Sequence, residues 1–153
     1  MRSLYDNIVA GSQVSGQVVG ASVGTLTGAA VDTKGYNTGV INVHSELGSA
    51  AATTSAIATL LECATSNGTF TPALANDGTT IQVTLGSTGT GLGSGGAAGN
   101  GMARIEGLGL NRKRYLKAQV VYTFAAAQTI TGFAEILLGR AFNMPTQTGS
   151  NSL

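Results

Sequence analysis

Hydrophobic and polar residues alternate with a period of two over much of this chain. The pattern is cleanest at Tyr115 to Ala125, where Ala118, Val120, Tyr122 and Phe124 fall on one face and Lys117, Gln119, Val121 and Thr123 on the other. Successive side chains of a β-strand point to opposite faces, so this period predicts a half-buried strand. The same reading gives a strand over 79–85, with Ile81, Val83 and Leu85 on its apolar face, and a closing strand over 132–140, with Ala134, Ile136 and Leu138 inward. Over 39–46, Ile41, Val43 and Ser45 oppose Val40, Asn42, His44 and Glu46. Shorter strands are predicted over 29–33 and 102–108. Residues 54–65 are ambiguous, because their alanines favour a helix. The alternation of Ile57, Thr59, Leu61 and Cys63, with the hairpin signal Asn67-Gly68 behind it, favours a strand, and that reading is adopted.

Turn signals separate these runs. They include Lys34-Gly35-Tyr36-Asn37, Asp77-Gly78, Arg112-Lys113-Arg114 and residues 127–131. Pro72 and Pro145 are expected outside the strands. The predicted fold is all-β: an antiparallel β-sandwich or jelly roll of about seven strands. The sandwich is assigned to 29–140, interrupted by a flexible loop over 86–101 that is almost wholly Gly, Ser, Thr and Ala. Residues 1–28 read as an extended N-terminal arm, and 141–153 as a loosely held tail.

Composition narrows the function. Only 10% of the residues are charged, against about 25% in ordinary domains. Glycine supplies 23 positions and hydrophobic residues 42%, so the chain should fold rather than stay disordered. Low charge leaves little solubility reserve, which suits a protein packed against neighbours. A net charge of +1 provides no field for nucleic acid or an anionic membrane. The single cysteine, Cys63, excludes an internal disulfide. Asp6 stands where a signal peptide would begin its apolar run. Residues 8–31 lack charge and carry Gly16, Gly20, Gly24 and Gly28 at the spacing of packed membrane helices. Ser12, Gln13, Ser15 and Gln17 interrupt that run, so an arm lying on a neighbouring surface is the preferred reading.

The residues needed for chemistry are sparse. His44 is the only histidine and is read as a partly exposed strand residue. Ser94 lies in Gly91-Leu92-Gly93-Ser94-Gly95-Gly96, a floppy loop that cannot hold a nucleophile, and the G-x-G-x-x-G match there lacks the strand and helix that would give it meaning. The seven acids form no local pair, one His and one Cys do not make a metal site, and no Trp is present to stack on a sugar. Asn67-Gly68-Thr69 is read as a turn rather than a glycosylation site. The expectation is therefore no enzyme, no cofactor, no metal and no small-molecule substrate. Arg112, Lys113, Arg114 and Lys117 form the one basic cluster, read as a solvated turn or a contact to an acidic patch on a partner.

Three segments resemble a class of small virion proteins encoded among the head genes of tailed bacteriophages. One is Met1-Arg2-Ser3-Leu4-Tyr5-Asp6-Asn7-Ile8-Val9. Another is Gly35-Tyr36-Asn37-Thr38-Gly39-Val40, running on to Glu62 and Asn67-Gly68-Thr69-Phe70. The third is Lys113-Arg114-Tyr115-Leu116-Lys117, followed by Thr129-Ile130-Thr131-Gly132 and Leu138-Gly139-Arg140. The resemblance spans about half the chain, in short structural motifs. The glycine-rich stretch over 11–28 and the 86–101 loop depart from it.

The resemblance implies a capsid decoration (cement) protein that binds the outer surface of the major capsid lattice, assembled in the host cytoplasm. The implied partners are the major capsid protein and further copies of the chain, as a dimer or trimer, with no nucleic acid and no membrane. The alternative is a head–tail or tail-fibre module recognising a host surface. Partner contacts are expected from Leu4, Tyr5, Ile8, Val9, Val14 and Val18 of the arm, ordering on docking, and from Arg112, Lys113 and Arg114.

Overall fold

A computed structural model describes residues 8–20, 23–47, 53–85, 99–105, 108, 112–124 and 128–139. Ten strands are present among them: β1 (Ile8–Gly20), β2 (Val23–Thr27), β3 (Val31–Asp32), β4 (Thr38–Leu47), β5 (Thr53–Cys63), β6 (Thr71–Pro72), β7 (Gln82–Leu85), β8 (Gly99–Arg104), β9 (Tyr115–Phe124) and β10 (Gln128–Gly139). They form two antiparallel sheets. Sheet A has the order β1-β10-β4-β8; sheet B has the order β2-β9-β5-β6, with β3 also on β9 and β7 also on β5. The predicted all-β sandwich is what the chain forms.

The faces follow the alternation. Ile41, Val43, Ile130, Ala134, Ile136 and Leu138 of sheet A are buried against Ala56, Ala58, Leu60, Leu116, Ala118, Val120 and Tyr122 of sheet B. Each fully buried Leu, Ile or Val contributes about 1.5–3 kcal/mol of transfer free energy. On β5 the core face is Ala56, Ala58 and Leu60, the opposite parity from the Ile57–Cys63 row that marked the strand in sequence. Leu61 and Cys63 are buried as well, on the other face of the sheet. Between the sheets, the Tyr122 side chain crosses the core until its hydroxyl lies against Gly132, which stands opposite Ser45 in the register. Burial raises the Tyr122 pKa, and the neighbouring Ser45 hydroxyl partly offsets that rise.

The segment expected as an arm is corrected. Residues 8–20 pair along β10, from Ile8 opposite Gly139 to Gly20 opposite Gln128, and residues 23–27 pair with β9. Gly28 N–H donates to Ala118 O at 2.9 Å, which continues the pairing with β9 to the end of the segment. Val9, Val14 and Val18 stand opposite Leu138, Ala134 and Ile130, three buried residues. The arm's uncharged sequence thus completes both sheets. Deleting residues 1–28 would strip a neighbour from β10 and from β9, so the truncated chain is expected to lose its cooperative thermal transition, as followed by circular dichroism. Leu4 and Tyr5 lie outside the described residues, as do the loop core over 86–98 and the tail over 141–153. The last part of the predicted loop is strand, because β8 starts at Gly99. Pro72 is also inside a strand, the two-residue β6, but at the outer side of β5, where a missing N–H is tolerated.

Candidate interaction surface

The turn residues behave as their chemistry dictates. Gly35 and Gly78 have φ of 87° and 82°, a region open to glycine at little cost. Asp77 Oδ1 accepts from Thr79 N–H at 2.9 Å and from its hydroxyl at 2.6 Å, which closes the Asp77-Gly78 turn.

The cations of the basic cluster each have a partner within the molecule, and Lys113 and Arg114 stay about half exposed while Arg112 is buried. Arg112 has a side chain only 6% exposed; it donates to Glu62 Oε2 at 3.2 Å and to Leu74 O at 2.8 Å. Lys113 Nζ lies 3.2 Å from Thr71 Oγ1 and 3.9 Å from Glu62 Oε1. Arg114 grips Asp32 with two bonds, Nε to Oδ1 at 2.9 Å and Nη2 to Oδ2 at 2.6 Å, and stacks over Tyr115. Lys117 Nζ sits 4.1 Å from the centroid of the Phe70 ring. These cations tie the start of β9 to the β5–β6 hairpin and to β3, and the buried Arg112 has no guanidinium to offer an outside acid. Sequence alone did not reveal this, because Glu62 and Asp32 are distant in the chain.

Each of the four carboxylates whose surroundings are described is engaged: Asp32 by Arg114, Glu62 by Arg112 and Lys113, Asp77 by Thr79, and Glu135 by Asn42 Nδ2 at 3.1 Å. Among the described residues no three His, Cys, Asp or Glu converge as metal ligands would. His44 is half-buried on the outer face of sheet A, opposite Phe133 and Asn100. Among the described residues no helix is long and apolar enough to cross a membrane.

The bidentate bond from Arg114, aided by the Lys34 N–H, holds the Asp32 pKa at about 2, below its ordinary 3.8. The folded chain therefore binds this proton less readily than the unfolded chain. The stabilisation is complete above pH 3.8 and disappears as pH falls through about 2. In urea melts run from pH 6 down to pH 1.5, wild type should exceed Asp32→Asn at the upper end and coincide with it at the lower. A constant difference across that range would show that Asp32 acts through something other than its charge.

Two exposed surfaces stand out among the described residues. The outer face of sheet B carries the cross-strand rows Thr27–Gln119–Thr59–Gln82 and Thr25–Val121–Ile57–Thr84, with Val23 and Thr123 beyond them. None of these residues is charged. Ile57 and Val121 are half-buried at its centre, Val23 is 59% exposed at its edge, and Gln119 Nε2 donates to Thr27 Oγ1 at 3.1 Å. The second surface is on sheet A, a shallow groove of about 320 Å³ lined by Thr38, Gly39, Val40, Arg104, Leu137, Leu138 and Gly139.

No family model matches the chain, and no curated protein matches it. A solved structure, the arabinose-bound α-L-arabinofuranosidase MgGH51, is similar over 81% of this chain, with 15% identity and a TM-score of 0.37. The chain spans 19% of that enzyme's length, and a likeness this slight bears on neither mechanism nor substrate.

Proposed function

We propose that the chain is a virion structural protein of the capsid decoration type, a β-sandwich that binds the outer surface of a major capsid lattice and stabilises it without chemistry of its own. The observation that carries this reading is the outer face of sheet B, where cross-strand rows of Thr, Gln, Val and Ile stand free of charge. Charged residues are depleted at the centre of protein interfaces, where desolvating them is costly, whereas β-branched residues on a sheet add little entropy cost when covered. The partner is taken from the resemblance of short motifs to those of small phage head proteins, and repetition over a lattice turns modest contacts into firm attachment. In place of an ordering arm, a preformed sheet face makes the contact, so little conformational entropy is lost on binding.

The test is co-sedimentation of the purified chain with expanded phage heads. Ile57→Lys and Val121→Lys, each adding a charge at the centre of the face, should weaken attachment by about tenfold or more while leaving the melting profile near wild type. Attachment at wild-type strength by both variants would remove sheet B from the contact. Failure of the wild-type chain to bind any head would remove the capsid reading itself.

A further inference from the structure

Among the described residues, the edge of sheet A formed by β8 is open. β8 pairs with β4 on one side, and no described strand pairs with the other. Ile105 N–H donates to Gly39 O at 2.8 Å, which fixes the alternation of the ladder. The main-chain groups of Ala103 and Gly101 therefore also face β4, and those of Asn100, Met102 and Arg104 face away from the sheet. The side chains of these three residues are exposed, Met102 to 71%. Edge strands are usually blunted by proline, an inward charge or a covering element. β8 contains no proline, and its one charge stands at its end.

That charge is Arg104. It makes no hydrogen bond or ion pair among the described residues, in contrast to Arg112 and Arg114. It caps the cross-strand row Leu137–Val40–Arg104, the floor of the shallow groove. An unpaired guanidinium beside an apolar floor attracts a carboxylate more strongly than one in open water, because the floor lowers the local dielectric response.

The geometry points to the free edge of β8 as an acceptor for an extended, carboxylate-bearing peptide segment of a partner protein, added as a further strand of sheet A. Main-chain bonds to Asn100, Met102 and Arg104 give affinity, and side chains at alternate positions give specificity. An added strand places its outer-face residues beside those three side chains in turn. The matching order is polar, apolar, acidic, with the acid two residues from the apolar position. This inference is independent of the capsid reading, since it specifies the chemistry of the segment and not the particle that carries it.

The probe is an array of capped hexapeptides alternating Thr and Val, with Glu, Gln or Lys at one outer-face position, and the full chain as analyte. The Glu peptides should retain the chain about tenfold better than the Gln peptides, and the Lys peptides should not retain it. Arg104→Gln should bring the Glu signal down to the Gln level. Methylating alternate peptide nitrogens removes the strand's donors without altering the protein, and should abolish retention in one register of methylation only. Equal retention of Glu and Gln peptides, full retention in both registers of methylation, or no retention at all would overturn the proposal. Self-association that Met102→Pro abolishes would also overturn it, because the edge would then belong to a second copy.

Discussion

Replacing Gly132 with alanine is expected to destabilise the chain by about 3 kcal/mol, the upper part of the range for overpacking a tight core. For a domain of this length the melting midpoint should fall by about 6–12 °C. The cause is steric. A Cβ on Gly132 would overlap the Tyr122 hydroxyl and stand 2.8 Å from Cζ of the same ring. Tyr122 is fully buried between the sheets, with Val120 and Ala56 near it in the core, so the ring has nowhere to swing. Gly132 sits in the middle of β10, between β1 and β4, and the backbone is equally confined. Pairing Gly132→Ala with Tyr122→Phe removes the hydroxyl that overlaps most and should recover part of the loss, leaving the tight contact at Cζ. The checks are thermal and urea melts of the two single variants and the double variant. Additive losses would mean that the two sites do not touch.

The same pair shows how far the sequence could be read. Tyr122 on an inward face was legible, because β9 alternates without interruption. Gly132 was read only as the start of a strand; that it makes room for a tyrosine from the opposite sheet is a tertiary fact with no local signal. β4, β7 and β9 were legible for the same reason as Tyr122, and β10 from Gly132 onward; residues 128–131, expected as part of a turn, are instead its first residues, paired with β1. β1 was not, and its register explains why. Ala10 stands opposite Leu137 and Gln13 opposite Glu135, so Gly11 and Ser12 together face Ile136. This β-bulge shifts the parity: Val9 stands opposite buried Leu138 before it, and Val14 and Val18 opposite buried Ala134 and Ile130 after it. An alternation broken at its middle, and diluted by Gly and Ser, reads as a flexible arm. Gly11 is part of the device, since a Cβ there would come within 2.7 Å of Val31 Cγ2. On β5 the small alanines face the core while the bulkier Ile57 and Thr59 face outward, so side-chain size along the strand does not mark its inner face.

The basic turn yields the second large effect. Arg112→Ala is expected to cost about 3 kcal/mol, at the lower end of what breaking a buried ion pair costs. The guanidinium is 6% exposed and Glu62 only 14%, so its removal strands a nearly buried carboxylate. The Leu74 carbonyl loses its 2.8 Å donor at the same time. Lys113 limits the damage, because its N–H lies 3.4 Å from Glu62 Oε2 and its Nζ 3.9 Å from Oε1. Arg112→Lys should not rescue, since one ammonium on a shorter stem does not reproduce the fork that reaches both Glu62 and Leu74 O. The double variant Arg112→Leu, Glu62→Leu should recover most of the stability, because it removes both charges from a site that excludes water. Urea midpoints for the four proteins decide the matter, and head co-sedimentation separates the roles of the residue. Arg112→Ala melting at the wild-type midpoint while losing attachment would return the guanidinium to the partner. Lower stability with attachment retained below the melting transition would fix it as an internal staple that holds the start of β9 against the β5–β6 hairpin.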